Sequence, residues 1–192
     1  KAKNEPAGGI QLGGEAELSP GNPGQETVPG DGLAWRKISL PGGFQSVFRD
    51  LARPGGTVWY RLAFQLDAPP PEGAAAELLI GQVSGCDRTF INGVKVGQSD
   101  LNSHVNDVAV ASRKYTLPAG VLKTGRNQLA IRVDFDRDNL LGLRGSDGSI
   151  GAPLAIQFSK PAAAVSDLPF EPLGLKEWRA ARISPGELAN RK

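Results

Sequence analysis

Two stretches of this chain alternate apolar and polar side chains with a period of two, a pattern that a helix cannot use. In residues 57–66, TVWYRLAFQL, the side chains of Tyr60, Leu62, Phe64 and Leu66 fall on one side, and those of Trp59, Arg61, Ala63 and Gln65 on the other. In residues 128–135, QLAIRVDF, Leu129, Ile131, Val133 and Phe135 oppose Gln128, Ala130, Arg132 and Asp134. Only an extended strand sends every second side chain to the same face. A sheet with one greasy face must bury it against a second layer, so these stretches demand a layered β structure.

The rest of the chain supplies the other strands. Residues 76–83, AELLIGQV, form a nearly continuous apolar run, as expected of a strand covered on both faces. Residues 89–98, TFINGVKVGQ, place Asn92-Gly93 between two β-forming runs, the strongest short hairpin signal, because both central residues of a type I′ turn need positive φ. Residues 112–118, SRKYTLP, read as an edge strand closed by proline, and 153–158, PLAIQF, as a last short strand. The 25 glycines and 15 prolines are spread as turn punctuation and form no repeat. The Gly-, Pro- and Glu-rich residues 1–32 predict an irregular arm, with at most a short strand near Ile10–Leu12. The body of the sandwich is expected over 33–160, and a linker with a short helical tail over 161–192, the helix at 174–183. One helical turn is expected around residues 44–51.

Composition excludes several functions. The 22 basic and 20 acidic residues give a net charge of +2 with no long basic face, so no nucleic-acid partner is expected. No apolar run approaches the ~20 residues of a membrane span, so contact with a membrane would be indirect. The chain opens with Lys-Ala-Lys-Asn-Glu and contains no Met, and a trimmed or processed chain is the expected reading. One Cys and one His exclude a Cys/His metal cluster. That single histidine, His104 in LNSHVND, has no serine in a G-x-S-x-G elbow to serve, so no nucleophilic triad can be assembled.

The order of motifs is more specific than any one of them. It runs through Trp35–Pro41 (W-x-x-x-x-L-P), Gly56–Leu66 (G-T-V-W-Y-R-L-A-F-x-L) and Leu78–Val83 (L-L-I-G-x-V). Thr89–Gly97 (x-F-I-N-G-x-x-V-G), Tyr115–Val133 and Ile150–Ile156 (I-G-A-P-L-x-I) follow. This series resembles the galactose-binding-domain-like jelly-roll module that accompanies family 2 glycoside hydrolases and bacterial sialate O-acetylesterases, and it is similar to the extracytoplasmic sensing module of some bacterial receptors. The resemblance covers about residues 33–158 and implies an all-β jelly-roll β-sandwich, here with a short C-terminal helix. It implies a structural role for the Asn92-Gly93 hairpin, with Gly97 letting the chain leave the second strand. It also places Asp87 in the acidic slot before the hairpin, flanked unusually by Cys86 and Arg88.

Carbohydrate sites combine aromatic faces with fork-shaped polar groups for vicinal hydroxyls. The outward strand face offers Trp59, Arg61, Arg132 and Asp134, and the loops are expected to offer Asp87, Arg88, Arg113, Tyr115, Arg137 and Arg144. The bland alternative packs Trp59 under the second sheet or the N-terminal segment and pairs Arg61 with Asp134 across strands. The alternating acids Asp134, Asp136 and Asp138 resemble the start of a calcium loop but lack its glycine and distal glutamate; a charged loop is the favoured reading, and no cofactor is expected. No motif specifies a pair of catalytic carboxylates, and a (β/α)₈ barrel would need about 250 residues of its own. The expected function is therefore a non-catalytic carbohydrate-binding or accessory module of an extracytoplasmic (periplasmic or secreted) bacterial polysaccharide-processing protein. Its partners would be a carbohydrate or other small polar ligand and a covalently linked catalytic or signalling domain. The alternatives are a periplasmic ligand-sensing domain of a membrane-bound signalling receptor, and a protein–protein interaction module.

Overall fold

In a computed structural model, residues 8–22, 24–43, 46–48, 55–100, 111–136 and 147–159 are described. They contain ten strands and no α-helix. In chain order these are β1 (Gly9–Gln11), β2 (Gly14–Gly21), β3 (Arg36–Leu40), β4 (Gly55–Leu66) and β5 (Ala75–Gln82). β6 (Cys86–Ile91), β7 (Val94–Ser99), β8 (Ser112–Leu117), β9 (Gly125–Asp136) and β10 (Leu154–Ser159) complete the set. A four-stranded sheet has the order β1-β10-β5-β8, and a six-stranded sheet the order β3-β2-β4-β9-β6-β7. All pairings are antiparallel. The all-β two-sheet sandwich expected from the sequence is the fold observed.

The period-two stretches become the centre of the larger sheet. β4 and β9 pair along twelve residues, from Gly55↔Asp136 to Leu66↔Gly125. Val58, Tyr60, Leu62 and Leu66 of β4 then point inward beside Leu129, Ile131, Val133 and Phe135 of β9. They meet Leu78, Ile80, Leu154, Ile156 and Phe158 from the smaller sheet in one core. Burying each Leu- or Ile-sized side chain contributes about 1.5–3 kcal/mol. β5 is less enclosed than its apolar run predicts: Leu78 and Ile80 are buried, whereas Glu77 and Leu79, on its other face, are only half-buried. β8 is the edge strand that its closing proline predicts.

The N-terminal arm is the main correction. Residues 14–21, GEAELSPG, form an eight-residue strand between β3 and β4, with Ala16 and Leu18 in the core and Glu15 and Glu17 outward. The alternation spans only four residues and is diluted by glycine and proline, which hid it. Pro20 lies past the residues paired with β3, where β2 is itself an edge. Leu12 is also buried in the core, so the sandwich begins well before residue 33. Most of the expected helical turn at 44–51, and all of the expected tail at 161–192, lie outside the described residues, as does His104.

The hairpin is built as a type I′ turn, with φ of 51° at Asn92 and 80° at Gly93. Asn92 does structural work through its side chain. Its amide nitrogen donates to the carbonyl of Val121 and to Oδ1 of Asn127, both at 2.8 Å, and its Oδ1 accepts from the Gln128 backbone at 2.9 Å. Gly97 has a different reason from the one expected. A Cβ there would lie 2.2–2.6 Å from ring atoms of Tyr115. That ring is held by hydrogen bonds from its hydroxyl to the carboxylate of Asp87 at 2.8 and 3.0 Å, so it cannot move aside freely. Gly97→Ala should therefore lower the unfolding free energy by about 1–3 kcal/mol in urea titration, the usual cost of overpacking.

Candidate functional site

The outward face of the six-stranded sheet carries most of the polar residues singled out from the sequence. One row across it reads Ser19, Trp59, Arg132, Arg88, Gln98 on β2, β4, β9, β6 and β7. The next row reads Glu17, Arg61, Ala130, Phe90. Beyond it lie Ala63 opposite Gln128, then Gln65 opposite Arg126.

Residues 24–35, between β2 and β3, form a strap over the first two rows. Val28, Leu33 and Trp35 pack on a second apolar cluster made of Trp59, Phe90 and Ala130. Trp59 is 0% exposed, and its ring centroid lies 5.7 Å from that of Phe90. Its Nε1 has no hydrogen-bond partner among the described residues, a cost of about 1–3 kcal/mol. Trp59 therefore offers no sugar-stacking surface: it packs beneath the N-terminal segment.

Ion pairs fasten the strap. Arg132 donates to the carbonyl of Gln25 at 2.7 Å, and Arg88 contacts Glu26 at 3.1 Å. Asp134 accepts from Arg132 at 2.9 Å, from Arg88 at 3.2 Å and from the Thr57 hydroxyl at 2.6 Å. Arg61 does not meet Asp134. In the β4–β9 register Arg61 stands opposite Ala130 and Asp134 opposite Thr57, four residues or about 13 Å away. Arg61 instead pairs with Glu17 at 2.5 Å and with Asp31 of the strap at 2.6 Å, and its guanidinium sits 4.1 Å from the ring centroid of Trp35. Burial pulls the Arg61 guanidinium down, but hydrogen bonds to Glu17 and Asp31 outweigh it, and the net shift is upward.

Asp87 and Arg88 lie on a strand, not in a loop, and so do Arg113 and Tyr115 on β8. Asp87 points to the opposite side of β6, between the sheets, where its side chain has no exposure. It accepts from Arg113 Nε at 2.7 Å, from the Tyr115 hydroxyl and from Thr89 at 2.9 Å. Arg113 also donates to the carbonyls of Gly85, at 2.8 Å, and Ala111. Burial first, then the Asp87 carboxylate, push the Tyr115 hydroxyl upward. This network rivets the two sheets together and is closed to ligands. Of the acids considered for calcium, Asp134 is committed to arginines, Asp136 is buried, and Asp138 lies outside the described residues, as do Arg137 and Arg144. No group of three or more His, Cys, Asp or Glu that could hold a metal ion occurs among the described residues.

Where the strap ends, the face opens. A polar cleft of about 400 Å³ is lined by Glu15, Glu17, Asp31, Arg61, Arg126 and Gln128, with Ala63 on its floor. Its volume lies within the range of small-molecule sites. Arg126 is exposed and has no ion pair among the described residues. Of these groups only Arg61 was a candidate from the sequence. Glu15, Glu17 and Asp31 lay in the supposed arm, and Arg126 enters only through the β4–β9 register. A second cleft, of about 580 Å³, follows the free edge of β3 past Lys37, Ser39, Pro41 and Gly43.

No protein-family model matches the sequence, and no curated protein matches it. Solved structures do share the fold. A β-glucuronidase from an uncultured Clostridium species superposes with a TM-score of 0.60 at 13% identity, over 83% of this chain and 30% of that one. A β-glycosidase from Bacteroides vulgatus gives 0.57 at 22% identity, over 81% and 20%. A β-D-mannosidase from Dictyoglomus thermophilum gives 0.50 at 18%, over 70% and 16%. The fold is thus the jelly-roll sandwich that these three glycosidases also contain, and this chain spans less than a third of their length.

Two outcomes test the buried network and the thiol beside it. Asp87→Ala removes the carboxylate facing Arg113 Nε and should cost about 3–5 kcal/mol, against about 1.5–3 kcal/mol for Tyr115→Phe, in chemical denaturation. Burial, then the Asp134 and Asp100 carboxylates, push the Cys86 thiol from 9.0 up to about 11, against the pull of Arg113. At pH 8 its thiolate population should fall roughly 100-fold relative to the unfolded chain, so its reaction with a disulfide reagent should be slow until urea unfolds the protein.

Proposed function

We propose that this chain is a non-catalytic carbohydrate-binding accessory module of a polysaccharide-processing protein that works outside the cytoplasm. One observation carries the reading: a sandwich that makes up some four-fifths of this chain makes up only 16–33% of the glycosidases that share it. A unit of this size accompanies a catalytic barrel of about 250 residues and does not contain one. The cleft supplies suitable chemistry. A guanidinium fork, an amide and carboxylates are the groups that hold vicinal hydroxyls. A covalently linked catalytic or signalling domain is the partner that belongs with this reading. In it the cleft binds sugar, and hydrolysis happens elsewhere.

A glycan array followed by thermal unfolding tests it. A sugar present at about 100 Kd should stabilise the fold by about 2.7 kcal/mol and raise Tm by roughly 5–10 °C. Silence across neutral and acidic glycans, with the fold intact, would overturn the reading in favour of a receptor sensing domain or a protein-interaction module.

A further inference from the structure

The charge arrangement of the cleft narrows its ligand. Three of its lining groups are carboxylates and two are guanidiniums, and Lys37, 2.6 Å from Glu15, brings the local charge into balance. Arg61 is already shared between Glu17 and Asp31 and is stacked against Trp35, which leaves it little freedom to turn toward a ligand. The carboxylates still face solvent: the Asp31 side chain is 91% exposed and that of Glu15 70%. Glu15 pairs with Lys37, an equally exposed partner that water and salt screen. Each carboxylate therefore keeps lone pairs free to accept hydrogen bonds, and the donors without an ion pair are Arg126 and Gln128. A site whose solvent-facing acceptors outnumber its uncommitted donors favours a ligand rich in hydroxyl donors over one that adds a further carboxylate.

We infer that this cleft selects a neutral, hydroxyl-rich saccharide and discriminates against uronate-bearing glycans, an inference that rests on the carbohydrate reading above. Arg126 and Gln128 would hold ring or hydroxyl oxygens, while Glu15, Glu17 and Asp31 would accept from hydroxyl groups. A sugar carboxylate held by Arg126 inside the cleft would share its lining with those three acids, and like charges at close range cost affinity.

Isothermal titration of the chain with paired tetrasaccharides tests this: each neutral tetrasaccharide is compared with its C6-oxidised uronate counterpart of the same linkage, at 50 and 300 mM salt. The expected result is at least a 10-fold preference for the neutral member, with affinity nearly independent of salt, because no net ligand charge is screened. Arg126→Ala, at an exposed position with no ion pair, should fold normally and weaken neutral binding at least 5-fold. Equal or tighter binding of the uronate member would overturn this inference and leave the carbohydrate reading standing. Unchanged affinity in Arg126→Ala would overturn the assignment to this cleft. No binding by any member would overturn the carbohydrate reading itself.

Discussion

The twelve-residue antiparallel pairing of β4 with β9 is the constraint on which the remaining structure depends. It brings Tyr60 beside Ile131 and Leu62 beside Leu129 on the inner face, and it puts Trp59 beside Arg132 on the outer one. A shift of one residue would exchange the two faces, driving Arg61 and Arg132 into the core, so the register is specified by the cost of that exchange. Every other strand of the larger sheet is positioned by docking on this pair: β2 on β4, with β3 beyond it, and β6 on β9, with β7 beyond it.

A greasy interface between two sheets is not directional, and alone it tolerates small slips. Polar contacts supply the direction. Asp87 of the larger sheet and Arg113 and Tyr115 of the smaller one form a buried cluster that only one relative placement of the sheets satisfies. Tyr60 adds a second tie, donating from its hydroxyl to the carbonyl of Gly148 at 2.5 Å. The backbone of residues 148–151 in turn exchanges hydrogen bonds with Gly42, Gln82 and Ser84.

The fold was legible because its strongest signals are local. Two-residue alternation identified β4 and β9, and Asn92-Gly93 identified the β6–β7 hairpin. β2 escaped because four alternating residues amid Gly and Pro make a weak pattern; it is a strand through what it packs against. The polar face was legible as a set of residues and illegible as a surface. Sequence placed Trp59, Arg61, Arg132 and Asp134 outward correctly, but outward from one sheet does not mean open to water. The strap that covers Trp59 comes from residues whose composition signals irregular chain, and irregular chain can be tightly fastened. Likewise the open cleft joins Glu17, Asp31 and Arg126, residues far apart in sequence that only the sheet order brings together.

The strap makes part of the cleft wall through Asp31, yet residues 24–35 take no part in either sheet's ladder. One wall of the cleft is thereby carried outside the ladders, while Glu15, Glu17, Arg61, Arg126 and Gln128 stand on the strands. Insertions or exchanges near Asp31 can reshape that wall while the strands keep their partners, provided Val28, Leu33 and Trp35 still cover the indole beneath them. A sandwich arranged this way is a frame whose surface can be recut one connecting segment at a time.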